Sequence, residues 1–454
     1  MKVLQINYSD INGGAARAAY RIHHALRDAS IDSTMWVNQA SAGDWTVDGP
    51  TSKLGKIVAR ARPQVAGLLT KTLRTENPII HSPAIFPSQW VKRINQSDAD
   101  VVHLHWVAGE MLSIADIGRI EKPIVWTLHD MWAFCGAEHY TEEFRWREGY
   151  RREDRPAYES GFDLNRWTWE RKRKHWLRPM QIVTPSRWLA DCVRESALMR
   201  DWPVSVIPNC LDTERWKPME QALARELLGL PADVPLLLFG AMGGGYDPRK
   251  GFDLLTAALG HLSGEIPGLE LVVFGQLAPR NPPDLGFPIH YTGHLHDDLS
   301  LRALYSAAEA LVVPSRQDNL PNTAVEAQTC GTPVVAFNIG GLGDIVEHQL
   351  TGYLAKAFVT EDLAAGIRWV LGHGSPRFLR NLAMTGEEVN MLLMAGKNSA
   401  PGEGDDEDVG RGQHPHAADA MPADLRKQSR ERSVARFSDA VVAKQYRAVY
   451  AEIG

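Results

Sequence analysis

Two series of short apolar runs, each run followed by a helical pattern, constrain this chain more than any other feature. In the first half the runs are Val3–Asn7, Ser33–Val37, Val101–Trp106, Ile124–His129, Gln181–Pro185 and Val204–Pro208. In the second they are Leu236–Phe239, Leu269–Phe274, Ile289–Thr292, Ala310–Pro314 and Pro333–Phe337. Runs of this kind are strands, and strands that alternate with helices build parallel sheets in α/β layers. A glycine-rich turn follows the first strand of each series, Gly13–Gly14 in one and Gly243–Gly245 in the other. The expectation is an α/β chain of two Rossmann-like domains facing each other. With 454 residues there is length for two cores.

The join falls near Ile207–Asp212, which gives a first domain over 1–208 and a second over 209–380. Residues 381–425 break the pattern. From Gly402 to His416 the chain is acidic, rich in glycine and without period, the composition of a disordered insertion. Helical spacing returns over 426–454, where Val434, Phe437, Val441, Val442, Tyr446 and Tyr450 recur on one face.

Composition narrows the function. Hydrophobic content of 44% and charged content of 23% fit a soluble globular protein. The net charge of −6 gives no sign of a nucleic-acid partner. Cys135, Cys192, Cys210 and Cys330 are scattered, without the spacing of a zinc site or a disulfide framework. The opening Met-Lys-Val-Leu-Gln-Ile-Asn turns polar too soon for a signal peptide, and no apolar run reaches membrane-spanning length. A reducing cytosolic compartment is the expectation.

The stretch from Pro314 to Phe337 carries the chemistry. It reads as a strand, a polar loop, a helix opening near Asn322 and a second strand. Asp318 falls in the loop and Glu326 in the first turns of the helix. An acid and several free helix-start N–H groups are thereby aimed into one crevice at the carboxyl end of a strand, which suits a phosphorylated, hydroxyl-rich ligand. An isolated pair of acids at this spacing is an ordinary capped helix start. Here Leu320-Pro321 lies between them and Cys330-Gly-Thr-Pro-Val-Val335 follows. With these neighbours the segment resembles the donor-site signature of the retaining glycosyltransferases of family four, E-x₇-E before a Cys/Ser-Gly-x-Pro-Val-Val strand. Asp318 stands where that family usually has its first Glu.

Three further motifs sit at strand ends. Gly13 and Gly14 open a helix directly after the first strand and let a ligand approach the backbone. The spacing is not that of a dinucleotide fingerprint. His129 closes Thr127-Leu-His-Asp130 and can offer a hydrogen bond to a sugar hydroxyl or to the reacting centre, whereas His103 and His105 lie within a strand and read as packing. Arg249-Lys250-Gly251 follows the second glycine-rich turn, where a lysine suits phosphate as a point charge and an arginine as a fork. Each resembles a family-four element. Lys250 matches the family lysine, but the arginine expected six positions earlier falls at Gly244 and is missing. Arg249, Arg316 and Arg17 are the candidates to replace it.

Two stretches mix cations with apolar residues. Lys53–Arg74 is one, and Arg166–Arg178, with three tryptophans, is the other. Both suit peripheral contact with an anionic membrane surface, and both equally suit solvated helix faces with a buried side.

The resemblance implies the GT-B fold, with a C-terminal helix over 426–454 crossing back to the first domain. It implies a retaining, metal-independent glycosyltransferase using a nucleotide diphosphate sugar as donor, with no cofactor. Glu326 would accept the ribose hydroxyls and Asp318 hold those of the sugar. N–H groups around Asn322 and Thr323, beside Asn319 and Leu320, would meet the diphosphate, and Lys250 would neutralise the leaving phosphate. His129, Asp318 and Glu326 are the catalytic candidates. The implied acceptor is a glycan or a polyprenyl-linked glycan of surface polysaccharide synthesis, at the inner face of the membrane. Alternatives are a non-catalytic nucleotide-sugar-binding subunit of a polysaccharide assembly complex, or a GT-B nucleotide-sugar epimerase.

Overall fold

A computed structural model describes residues 1–240, 247–295, 297–374 and 423–453. The Gly243–Gly245 turn and the insertion expected over 381–425, up to Ala423, lie outside the described residues. The chain divides into two compact units. The first comprises Met1–Asp212, Asn319–Asn322 and Arg436–Gly454, and the second Thr213–Asp318 and Thr323–Ala435.

The first unit holds β1 (Lys2–Ser9), β2 (Asp32–Gln39), β3 (Val47–Asp48), β4 (Leu73–Arg74), β5 (Val101–Leu104), β6 (Ile124–Thr127), β7 (Ser160–Gly161), β8 (Gln181–Thr184) and β9 (Val204–Val206). Seven of them pair in the order β3-β2-β1-β5-β6-β8-β9, while β4 and β7 form a separate antiparallel ribbon. Every pairing in the large sheet is parallel, with Val3 opposite Val101 and Val102 opposite Ile124. β5 and β8 are buried along their whole length, as strands covered by helices on both faces must be. The strand order reverses between β1 and β5, so the loops after these two strands diverge to opposite faces and leave a crevice.

The second unit repeats this plan with β10 (Leu236–Gly240), β11 (Glu270–Phe274), β12 (Ile289–Gly293), β13 (Ala310–Val313), β14 (Val334–Phe337) and β15 (Gly352–Ala355), ordered β12-β11-β10-β13-β14-β15. The reversal falls between β10 and β13. β15 was not anticipated from the sequence. It opens on a glycine because a side chain at 352 would meet the Val334 carbonyl oxygen at 2.0 Å.

The C-terminal segment differs from the single helix expected over 426–454. Two helices, Ala423–Phe437 and Asp439–Ile453, meet at Ser438. The break has a local cause. The Phe437 carbonyl accepts from the Leu211 N–H at 2.8 Å, and Ser438 bridges Leu211 in β fashion, so the first helix cannot continue. The second helix buries Val442, Tyr446 and Tyr450 against Val3, Ile22, Val101 and Val125 of the first unit.

For the tryptophan-rich stretch 166–178, the structure favours the reading of a helix with a buried side. In the helix Leu164–His175 and the turn after it, Trp169 and Trp176 are core residues and Lys172 is fully buried. Lys172 Nζ donates to the carbonyls of Trp132, Cys135 (3.1 Å) and Gly136 (2.7 Å) and lies 4.0 Å from the centre of the Trp132 ring. Arg171 donates to the carbonyls of Pro83 (2.6 Å) and Ala84 (2.8 Å). These tryptophans and two of the cations hold the unit together and offer nothing to a membrane.

Candidate active site

In the second unit the chemistry gathers at the strand-order reversal. After β10, Asp247 caps a turn at Pro248–Lys250, its Oδ1 accepting from the Arg249 N–H at 3.0 Å. Gly251 follows with φ +67, a conformation costly for other residues, and a side chain there would strike the Pro314 carbonyl oxygen at 1.9 Å. The turn after β10 is thus pressed against the end of β13, and the Arg316 N–H donates to the Arg249 carbonyl at 2.8 Å. This packing brings Lys250 Nζ to 2.6 Å from Asp318 Oδ2, with Arg249 Nη1 at 3.7 Å from the same oxygen.

Asp318 is held on its other side by the loop after β14. The Gly341 N–H donates to the Asp318 carbonyl at 3.1 Å, and Gly340, at φ +53, leaves that carbonyl the space a side chain would fill. The helix Asn322–Thr329 begins just past the Asp318 loop, behind Pro321, and carries Asn322 and Thr323 in its first turn. Backbone N–H groups there have no carbonyl one turn earlier to bond. Glu326 is 3% exposed, and its Oε2 accepts from the Tyr305 hydroxyl at 2.9 Å.

Of the arginines considered for the missing family position, Arg249 faces the acid cluster, bonding the Gln317 carbonyl (3.0 Å) and Asp247 (3.2 Å). Arg316 forks onto Asp253 at 2.7 and 2.6 Å. Arg17 lies in the other unit, and Gly244 is outside the described residues.

In the first unit the reversal between β1 and β5 is built alike. Asp10, wholly buried, accepts from the N–H groups of Ser41 (2.6 Å), Ala42 (2.7 Å) and Ile11 (2.9 Å), which fixes the turn after β1. Gly13 then takes φ +100 and stands ahead of the helix Gly14–Asp28, with no side-chain cap on the helix start and nothing within 4 Å of where a Cβ would lie.

His129 lies two residues past β6, in a row of histidines. Its Nε2 is 3.1 Å from His105 Nδ1, and His105 Nε2 is 2.6 Å from Gln5 Oε1. Since the Gln5 amide oxygen only accepts, His105 carries its proton on Nε2 and its Nδ1 accepts from His129 Nε2–H. That leaves His129 Nδ1 as a lone-pair acceptor. Desolvation lowers the His129 pKa to about 4 against an opposing Asp130, and holds His105 well below the ordinary histidine value, so both rings are neutral near pH 7. His103 continues the row, bonded to Tyr450 and Thr127 at 2.7 Å each. Asp130, next to His129 in the chain, is held by His139 (2.6 Å), the Trp106 indole (2.9 Å) and the Trp132 N–H (2.9 Å).

Sequence reasoning placed His129 at a strand end, Asp318 in a loop, Glu326 in the first turns of the following helix and Arg249–Lys250 after a glycine-rich turn, and the structure has the last four in one unit. It missed Tyr305, Gly340–Gly341, His105 and Gln5. A glycine pair directly after a strand, the signal used at Gly13–Gly14, was present at Gly340–Gly341. For Tyr305, set among buried residues of a helix, no signal existed. The reading of His105 as packing alone is incomplete, because its ring sets the tautomer of His129.

Comparison with known proteins follows the same division. A family model described as "Glycosyltransferase Family 4" matches residues 12–215, and one described as "Glycosyl transferases group 1" matches 236–373. The D-inositol 3-phosphate glycosyltransferase of Segniliparus rotundus is 32% identical over 193 residues, 40% of this chain and 42% of the relative. That of Actinosynnema mirum is 36% identical over 219 residues, 43% of this chain and 52% of the relative. The chain therefore matches about half of the length of these relatives or less. Among solved structures, a glycosyltransferase from Rickettsia africae aligns with a TM-score of 0.60 at 14% identity, over 100% of this chain and 98% of its own. Anabaena HepE in complex with UDP and glucose aligns with a TM-score of 0.58 at 16% identity, over 100% of both chains. These likenesses identify the fold as GT-B.

Proposed function

The chain belongs to the family-four glycosyltransferases, and from that premise we propose that it moves a sugar, with retention and without a metal, from a nucleotide diphosphate sugar to a glycan or lipid-linked glycan acceptor in surface polysaccharide synthesis. The observation that carries this reading is the Lys250–Asp318 pair, 2.6 Å apart at the strand reversal of the second unit and close in sequence to the buried Glu326. Open α/β sheets bind ligands at this point.

Donor entry exchanges partners. The diphosphate takes Lys250 from Asp318, and the freed carboxylate turns to the sugar hydroxyls. Glu326, its second oxygen tied to Tyr305, accepts the ribose hydroxyls. As the anomeric carbon–oxygen bond to phosphate breaks, charge grows on the leaving oxygen, where Lys250 and the first-turn N–H groups of the helix stabilise it. The acceptor oxygen bonds to the anomeric carbon on the same face. Its proton passes to the leaving phosphate oxygen, so neither acid serves as nucleophile. On the first unit, the neutral His129 offers Nδ1 as an acceptor to a hydroxyl of the acceptor substrate.

The names of the aligned relatives support a second acceptor class, a phosphorylated cyclitol. The test is release of nucleoside diphosphate from UDP-, GDP- and ADP-sugars with chelator present, offered lipid-linked glycans or inositol phosphate. Release from one donor with one acceptor class supports the reading. Donor binding without release, whatever the acceptor, returns the chain to the non-catalytic alternative.

A further inference from the structure

The helix Lys53–Thr70 of the first unit turns four large apolar side chains outward, while Leu69 packs inward against Leu73, Ala137 and Leu164. A surface helix normally buries its bulky apolar residues and shows polar ones to water. Here the fully buried positions are small, Ala59 6% and Ala66 3% exposed. Arg62 pins the helix by donating to the carbonyls of Glu110 and Pro87 at 2.8 Å each, and to Phe86. Meanwhile Ile57, Val58, Val65 and Leu68 are 63%, 45%, 50% and 64% exposed. At about 100° per residue these four fall within one sector of roughly 100°. Core packing does not compel this, since a cavity of about 390 Å³ lies on the inner side, lined by Ala66, Gly67 and Thr70.

Charge completes the pattern. Lys53, Lys56, Arg60 and Lys71 project along one border of the apolar sector, and no ion pair engages them among the described residues. The helix holds no acidic residue, although the chain as a whole has a net charge of −6. Self-association through this face would set cations against cations, because a two-fold contact places the same patch on both copies. An anionic bilayer surface meets both halves of the pattern at once.

We infer that the outer face of Lys53–Thr70 is a membrane-docking surface. Ile57, Val58, Val65 and Leu68 enter the boundary between headgroups and acyl chains, and the cationic border contacts anionic headgroups. This goes beyond the proposed glycosyl transfer and stands independently of it.

The test is flotation of the full chain with vesicles of phosphatidylcholine alone and of phosphatidylcholine mixed with phosphatidylglycerol. Binding to the mixed vesicles only is expected. Ile57→Ser with Leu68→Ser abolishes it, and Lys53→Glu with Lys56→Glu and Arg60→Glu weakens partitioning roughly a hundredfold. Circular dichroism checks that these exposed substitutions leave the fold intact. Wild-type protein that floats with neither vesicle, serine variants that bind unchanged, or a solution dimer that the serine variants dissolve would each overturn the inference. Nucleoside diphosphate release onto a soluble acceptor, measured on the same variants, stays unchanged and keeps docking separate from transfer.

Discussion

His129, His105 and Gln5 form a bonded row in which each ring sets the proton position of the next. A neutral imidazole with a free Nδ1 accepts from a hydroxyl, and that state holds above about pH 4, where burial has placed the His129 pKa. The acid limb of the rate profile then falls near pH 4. Gln5→Glu puts a carboxylate against His105 and favours protonated rings, so the acid limb moves up by about one unit. An unmoved limb in the pH profile would mean that the row does not govern the reaction. Lys172 makes a separate prediction at this scale. Burial lowers its pKa to about 7, from an ordinary value of 10.5. Between these values the unfolded chain binds more protons than the folded one, so stability rises with pH across that window. Lys172→Met removes this rise. It also leaves three carbonyls without their donor, at a cost of about 2–4 kcal/mol, read by denaturant titration at several pH values.

Among the elements, the last helix is the one whose stability the sequence puts at issue. Asp439 opens it and is held at a pKa of about 6, chiefly by burial and despite a hydrogen bond with Cys210. The folded carboxyl therefore keeps its proton up to about pH 6, and stability falls as pH rises from the ordinary carboxylate value through that point. Asp439→Asn should stabilise the chain at pH 8 by up to about 2 kcal/mol, because the group is only partly buried, and by nothing below pH 4. Thermal melts at the two pH values check this. The strands of both sheets were legible as apolar runs between helical patterns. β3 and β15 were not, since Val47–Asp48 is two residues long and Gly352–Ala355 opens on a poor strand former placed there by close contact with Val334. The helix break at Ser438 was illegible because its cause, the Leu211 N–H, lies far away in sequence. For Arg166–Arg178, one of the two open readings, a helix face with a buried side, was favoured by spacing. Trp169, Lys172 and Trp176 recur at the spacing of one helix face, and that face is buried.

At the scale of the whole molecule, two units with like strand orders each reverse the order once; Gly13, Gly14, Arg249, Lys250 and Asp318 follow the strands at those reversals, whereas His129 follows the neighbouring β6. Strand order cannot be read from apolar runs. Short crossovers and right-handed connections narrow the alternatives, but the pairing itself comes from the structure. What a sequence conveys less well is which neighbours a charged group keeps. Nothing in the spacing of Lys250 and Asp318 says that they pair at 2.6 Å, and that pairing is what a donor has to displace. The central claim is that this pair marks the donor site. Calorimetric titration with UDP, GDP and ADP tests it most directly. The account predicts that one nucleotide binds and that Lys250→Ala weakens it at least roughly tenfold, as loss of a charge-assisted contact to phosphate requires. His129→Ala, a change in the other unit, leaves the affinity within about twofold. A Lys250→Ala protein that binds as tightly as the wild type would contradict the account.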